Sequence, residues 1–434
     1  MRRPIRAVLS LVGILAVAGC LGGGATSSPS NAPPVSSVPD SVTTTLARYA
    51  LEYEVVDEAL AGRAATAAAD ASIYLAAPLL TTGTQAVLEL RGDLSPVSVM
   101  DVSGSSLAAL STTDDALFGL SRACLSDSGG YAFCARITTF DAGIAIDEST
   151  EAFDLDHHAI VLDADRDGFW ADRYVPVTCD DDVYPCGLGD EPLERVYDCE
   201  AVHVRAGQAV WEWSALEHFT DAMLDTASAT AVYAPVDPFH CNSVQPSDDG
   251  GTVYVSMRHP STVMAIDVAS GDILWTFGQD DSPLALAVDD PEGLLGDRAV
   301  LSGQHDFRWL GGDRFSVFDN SSGGAGVARV VVFHVTDGTA TIENVIEDPS
   351  GRESRCTGSA RPLDEDETFW AVSWGCSESG VSVVTADGRE AARITVDLEA
   401  GIEKEILTDI AIEQPELGHT VSYQAVVGPP GLLG

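Results

Sequence analysis

The chain has 434 residues, 45% of them hydrophobic, enough to bury the core of one large or two ordinary domains. Asp and Glu number 67 against 23 Lys and Arg, a formal net charge of −44, and Lys404 is the single lysine. That balance excludes nucleic acid as a partner, because phosphate contacts need clustered cations. A small anionic ligand would have to be met by a local cationic pocket.

Arg2, Arg3 and Arg6 open the chain, residues 7–18 are apolar, and Val17-Ala18-Gly19-Cys20 has the form of a bacterial lipoprotein cleavage box. The apolar run is too short to span a bilayer comfortably. Residues 1–20 therefore read as a signal peptide, with Cys20 as the lipidated residue. The expectation is an exported lipoprotein, held by that anchor in the periplasm, at the outer membrane or on the cell surface. Residues 21–44 are Gly, Ser, Thr, Pro and Ala, a flexible linker. Residues 45–83 favour helix, and residues 84–150 carry strand-like runs such as Gln85–Leu90 and Val97–Val102. Residues 45–150 thus form an N-terminal extension, a small β-domain or the first part of the β-structure that follows.

Residues 154–170 place His157 and His158 ahead of a strand and an Asp-Gly turn. On a strand the two rings point to opposite faces, so only one reaches any given site. Asp163, Asp165 and Asp167 before Gly168 spell the start of a calcium loop, but its twelfth position is Tyr174 instead of Glu. A calcium site of another kind would use these three with Asp172 or residues 180–182; the alternative is a solvated acidic turn. No other cofactor is indicated. Eight cysteines remain after Cys20, an even number that fits disulfides in an exported chain. Cys124 with Cys134 and Cys356 with Cys376 are spaced to close local hairpins, whereas Cys179, Cys186, Cys199 and Cys241 have no obvious pairing.

Residues 237–278 break into four short alternating runs, Asn242–Gln245, Thr252–Met257, Thr262–Val268 and Asp272–Phe277. Asp-Asp-Gly-Gly, His-Pro-Ser and Ala-Ser-Gly-Asp separate them. Four antiparallel strands of this kind make one blade of a β-propeller. HCNSVQPSDDG at 240–250 and HDFRWLGGD at 305–313 repeat the pattern of 154–170, at intervals of about 50–80 residues. GSARPLDED at 358–366 keeps the rhythm without the histidine, and the longest interval reads as an insertion over residues 174–234. The chain is thus expected to be all-β, with the propeller over residues 151–434. The first strand of every blade lines the central channel. His157 or His158, His240 and His305 then converge with Asn242 and Arg258. The tryptophans and His203, His218, His259, His334 and His419 read as packing or surface residues.

His240-x-Asn242-Ser-Val, the strand ending Ser256-x-Arg258 sixteen residues on, and Ala265-Ile-Asp followed by Ser270-Gly-Asp-Ile-Leu-Trp-Thr-Phe-Gly resemble the bacterial arylsulfate sulfotransferases. His305-Asp306, a Gly turn and Phe318-Asp319-Asn320 continue the likeness, which covers about residues 150–400. The resemblance implies a six-bladed propeller that moves a sulfuryl group between phenols without a nucleotide donor. It makes His305 the nucleophile and a sulfohistidine the intermediate. Arg258, Asn242 and His240 would clamp the non-bridging oxygens, and His157 or His158 would carry the proton. The partners would be an aryl sulfate and a phenol. The alternatives are a non-catalytic propeller that binds a ligand, a surface lipoprotein, or a sulfatase in which water is the acceptor.

Overall fold

The structure is a computed structural model. It describes residues 36–37, 46, 51–77, 84–105, 107–125, 133–141, 144–149, 155–165, 167–178, 195–219, 237–278, 282–298, 300–322, 324, 326–377, 380–396 and 424–433. Residues 1–35, with Cys20, lie outside them, as do Cys179, residues 180–182, Cys186 and His419.

The described strands form six sheets arranged as a β-propeller, with successive strands antiparallel from the inside outward except at the edge of the fourth, where Ala287–Asp289 pairs parallel with Thr339–Glu347. The innermost strands, in ring order, are Leu107–Thr112, Leu155–Leu162, Cys241–Pro246, His305–Gly311, Ser359–Pro362 and Ala425–Gly428. Each meets the next, and the last meets the first. The third sheet is the blade read from the sequence, with strands Cys241–Pro246, Thr252–Met257, Thr262–Asp267 and Ile273–Gly278. The expected insertion instead holds the two outer strands of the second sheet, Arg195–Arg205 and Gln208–Ser214.

Early and late described segments close the ring together. Leu51–Val55 is the outer strand of the fifth sheet, paired with Glu390–Val396. Ala425–Gly428 is the inner strand of the sixth, paired with Ser72–Ala77. The strands over residues 51–149 are therefore part of the propeller and not a separate domain before it. Between them the helix Glu58–Ala67 starts on Asp57, whose carboxylate accepts from the N–H groups of Ala59 and Leu60. The helix packs its Leu60, Ala61 and Ala64 against the fifth and sixth sheets.

Cohesion comes from apolar clusters between adjacent sheets. Tyr174, Trp213, Phe239 and Val244 fill the gap between the second and third, and Phe277, Phe307, Phe315 and Phe333 that between the third and fourth. Neighbouring inner strands are bridged by side chains. Ser243 accepts from the N–H of Phe307 at 3.1 Å, Gln245 from that of Trp309 at 3.1 Å, and Ser359 from that of Ala425 at 2.8 Å. These bonds satisfy backbone groups that would otherwise be buried without partners.

Two further ties cross sheets beside the histidines. Cys199 and Cys241 form a disulfide between the second and third sheets, and Cys356–Cys376 closes on the fifth. Cys124 and Cys134 are register partners on adjacent strands of the first. Asp306, fully buried, accepts from Arg308 at 2.8 Å on its own strand, and from the N–H of Ala360 at 2.9 Å and Arg361 at 2.8 Å on the fifth sheet. Burial alone would raise this carboxyl, but Arg361 and Arg308 outweigh it and hold it near about 2.

Asp306→Asn should lower the unfolding free energy in urea by about 3 kcal/mol, since it leaves two arginines facing a neutral group. Because the folded value is depressed, this contribution is present above the ordinary carboxylate range and is lost as pH falls through about 2. The variant's deficit should therefore shrink on acidification. Replacing Cys199 and Cys241 together by Ser should cost about 2–4 kcal/mol in the same assay.

Candidate active site

His240 occupies the turn before the inner strand of the third sheet, with φ at 53°, in the left-handed region that non-glycine residues avoid. Asp237 holds it there. One carboxylate oxygen accepts the backbone N–H of His240 at 2.7 Å, and the other meets the ring Nδ1 at 2.9 Å. Arg258 and His259 clasp the same turn by donating their backbone N–H groups to the carbonyls of His240 and Phe239.

His158 lies in an irregular stretch of its strand, where the register shifts between Leu155 and Ile160. Its backbone N–H donates to Asp156 at 2.9 Å and its Nδ1 is bonded to the same carboxylate. Behind this pair sits Asp172, fully buried. Burial first, and then the charge on Asp156, raise Asp172 well above the carboxylate range, which favours its neutral form. The side chain of His157 lies outside the described ones; of the two histidines it is His158 that the structure brings into the site.

His305 starts the inner strand of the fourth sheet. Its Nδ1 lies 2.7 Å from Asn320 Oδ1. The amide nitrogen of Asn320 donates to the carbonyl of Thr357 at 2.8 Å and to Ser354 at 2.9 Å. A carbonyl only accepts, so Asn320 cannot be turned round, and the bond to His305 must run from Nδ1–H to Oδ1. That fixes the tautomer and puts the ring's lone pair on Nε2, where the N–H of Thr357 donates at 3.3 Å. Gly303, two residues before, has φ of +66°, and a Cβ there would sit 2.7 Å from Ser322 Oγ, so the approach to His305 needs glycine.

The three rings meet from three different sheets. His158 lies 5.2 Å from His240 and 6.4 Å from His305, centroid to centroid, and Tyr174 packs against the first two. All three are buried. Burial lowers His240 well below the usual imidazole value, and His259, His158 and Arg258 add to it. Burial followed by Arg258 and His158 does the same to His305. Both rings are neutral at pH 7 and suited to act through a lone pair.

Arg258 supplies the positive charge that reaches these rings, and its guanidinium donates to the carbonyl of Arg355 at 2.9 Å. Asn242 is buried, and its amide donates to the carbonyl of Gln304 at 2.7 Å, bracing the backbone that carries His305. The acidic loop is taken by a side chain. Arg205 donates to Asp163 at 2.8 Å and is paired with Asp165 and, at 3.6 Å, with Asp167; His203 also reaches Asp163 and stacks on Trp170. These carboxylates are not among the metal-sized groupings of the described residues.

Sequence reading missed His259, whose ring lies 4.8 Å from His240 and is pushed down to about 4 by burial and by Arg258. It also gave no role to Asp156, Asp237 and Asn320, the partners of the three Nδ1 atoms. The close Asp-His pairs at 156/158 and 237/240 were the available signal. A cavity of about 550 Å³ lies toward the far ends of the inner strands, lined by Arg308, Trp309, Arg361 and others. The histidines do not line it, so it is the opposite part of the channel and not the histidine site.

Fold and site together describe an all-β propeller with a cluster of buried histidines beside Arg258 at one part of its channel, an arrangement that can meet an anionic group. The arylsulfotransferase (ASST) family model matches residues 129–378, more than half of the chain, and the chain belongs to that family. No curated protein matches. Among solved structures the chain is similar to a putative 6-phosphogluconolactonase from Bacteroides fragilis, at 10% identity and TM-score 0.41, over 82% of this chain and 97% of that one. A putative 6-phosphogluconolactonase from Bacteroides uniformis aligns at 11% and 0.42, over 75% and 83%. The Myceliophteria thermophila Cps50 (Swd1) β-propeller domain aligns at 10% and 0.40, over 72% and 81%. Likeness at this level carries no argument about activity.

Nitrogen-15 NMR of histidine-labelled protein should find His305 as the Nδ1–H tautomer, neutral at pH 6. A cationic His305 at that pH would contradict the assignment. Asn320→Ala should release the tautomer preference and slow turnover by about tenfold to a hundredfold.

Proposed function

We propose that the protein transfers a sulfuryl group from an aryl sulfate ester to a phenol, without a nucleotide donor, through a sulfohistidine on His305. The observation that carries this reading is the locked tautomer of His305, which leaves Nε2 as a neutral nucleophile beside Arg258 and two further histidines.

In the first half-reaction Nε2 of His305 attacks sulfur, the N–S bond forms and the bond from sulfur to the aryl oxygen breaks. The electron pair leaves on that oxygen, which takes a proton from His158. In the second, the accepting phenol returns a proton to His158, its oxygen attacks the same sulfur, and the N–S bond breaks back to Nε2. Asp156 at Nδ1 holds the ring of His158 in place through this cycle. Arg258 and His240 hold the charge that builds on the non-bridging oxygens. Asn242 acts by bracing Gln304.

Family membership supports the reaction class and small aryl substrates. Six sheets with Leu51–Val55 and Ala425–Gly428 closing the ring support six blades. The two disulfides, with the cleavage box ending at Cys20, support an exported, lipid-anchored protein.

Kinetics with a chromogenic aryl sulfate should show phenol-dependent, ping-pong turnover. Release at the same rate without any phenol would mean that water is the acceptor. His305→Ala should lose at least about a thousandfold in turnover. His158→Ala should lose about a hundredfold or more, and more for poor leaving phenols than for good ones. A loss independent of leaving-group acidity would remove His158 from the proton-carrying role.

A further inference from the structure

The three histidines have a second property that transfer chemistry does not require. Each offers one ring nitrogen as a ligand, and the three nitrogens lie within 4.8 Å of one another in a buried pocket. Each ring is also held at Nδ1 by an oxygen: Asp156 for His158, Asp237 for His240 and Asn320 for His305. Histidines that bind metal are characteristically tied at their other nitrogen to a carboxylate or carbonyl oxygen, which sets ring direction and raises basicity. Here the arrangement occurs at all three rings, from three sheets.

We propose that His158, His240 and His305 bind one divalent transition-metal ion of the zinc type, which excludes the aryl sulfate from the same site. Three imidazoles with a water or anion in the fourth position are a common zinc donor set, whereas magnesium and calcium require oxygen ligands. Ligand distances of about 2.0–2.1 Å put tetrahedral nitrogens about 3.4 Å apart, so the rings need close by only about an ångström and a half at most. The pocket tolerates the charge. Arg258 opposes a cation, but Asp156 and Asp237 stand directly behind two of the ligands and take up positive charge through them. A chain carrying −44 also concentrates cations around itself. Exclusion of substrate rests on the sulfotransferase reading; binding of the ion does not.

The test is a titration of the metal-stripped chain with Co²⁺, followed by visible absorption. The expected result is one ion per chain with the strong bands of tetrahedral cobalt, displaced by Zn²⁺. His240→Ala should weaken binding at least about a hundredfold, while His259→Ala should leave it within about threefold, since that ring is outside the set. X-ray absorption of the zinc-loaded wild-type chain needs no variant and should find three imidazole nitrogens. Absence of saturable binding, an octahedral spectrum, fewer than three imidazoles, or loss of binding in His259→Ala would each overturn the assignment. The last would move the ion to the alternative group Asp237, His240 and His259. If Co²⁺ binds as described but does not compete with an aryl sulfate, the metal site stands alone, and the claim that it excludes substrate is overturned.

Discussion

Everything in the site depends on hydrogen bonds at the three Nδ1 atoms. A histidine on a channel strand is free to rotate and to choose its tautomer. Asp156, Asp237 and Asn320 remove both freedoms and set the rings facing one another. The bonds at 156/158 and 237/240 are local, but the segments that carry them are held by neighbouring sheets. Asn320 takes its orientation from Thr357 and Ser354, which lead into the fifth sheet, and Asp237 lies in the turn that the Cys199–Cys241 disulfide holds against the second. The chemistry of the centre is thus a property of the closed ring, not of any single blade.

The balance of charge follows the same logic. The chain is strongly acidic, yet its centre is kept short of negative charge. Asp306, next to His305, is neutralised by two arginines, and burial beside Asp156 favours the neutral form of Asp172. Arg258 is left as the charge that acts on His240, His259 and His305. In a buried site of low dielectric, one such cation counts for more than the many carboxylates on the surface, which water and salt screen.

The propeller was legible in the sequence because a blade is a local object. Its four strands follow one another, and the alternation and turns of residues 237–278 mark them almost to the residue. Ring closure was not legible. It joins Leu51–Val55 to Glu390–Val396 and Ser72–Ala77 to Ala425–Gly428, contacts that leave no local pattern. In the site, His157 or His158, His240 and His305 could be found by their repeated place in successive blades, and Arg258 by its place at the end of a strand in the third. The bond from Asn242 to Gln304 was not legible, because it crosses between sheets. His259 was read as a surface or strand residue, because a residue beside a turn carries no sign of which way its ring will point. Asp163, Asp165 and Asp167 were read as a calcium site or a solvated acidic turn; that Arg205, forty residues on, pairs with them could not be read locally.

The most direct test of the account is a single-turnover reaction of the protein with an aryl sulfate and no phenol, quenched in base, digested and examined by mass spectrometry. The account predicts one sulfuryl group on the peptide containing His305, discharged on adding a phenol. A sulfuryl group on the His158 or His240 peptide instead, or release of the aryl alcohol with the protein unmodified at every time point, would contradict it.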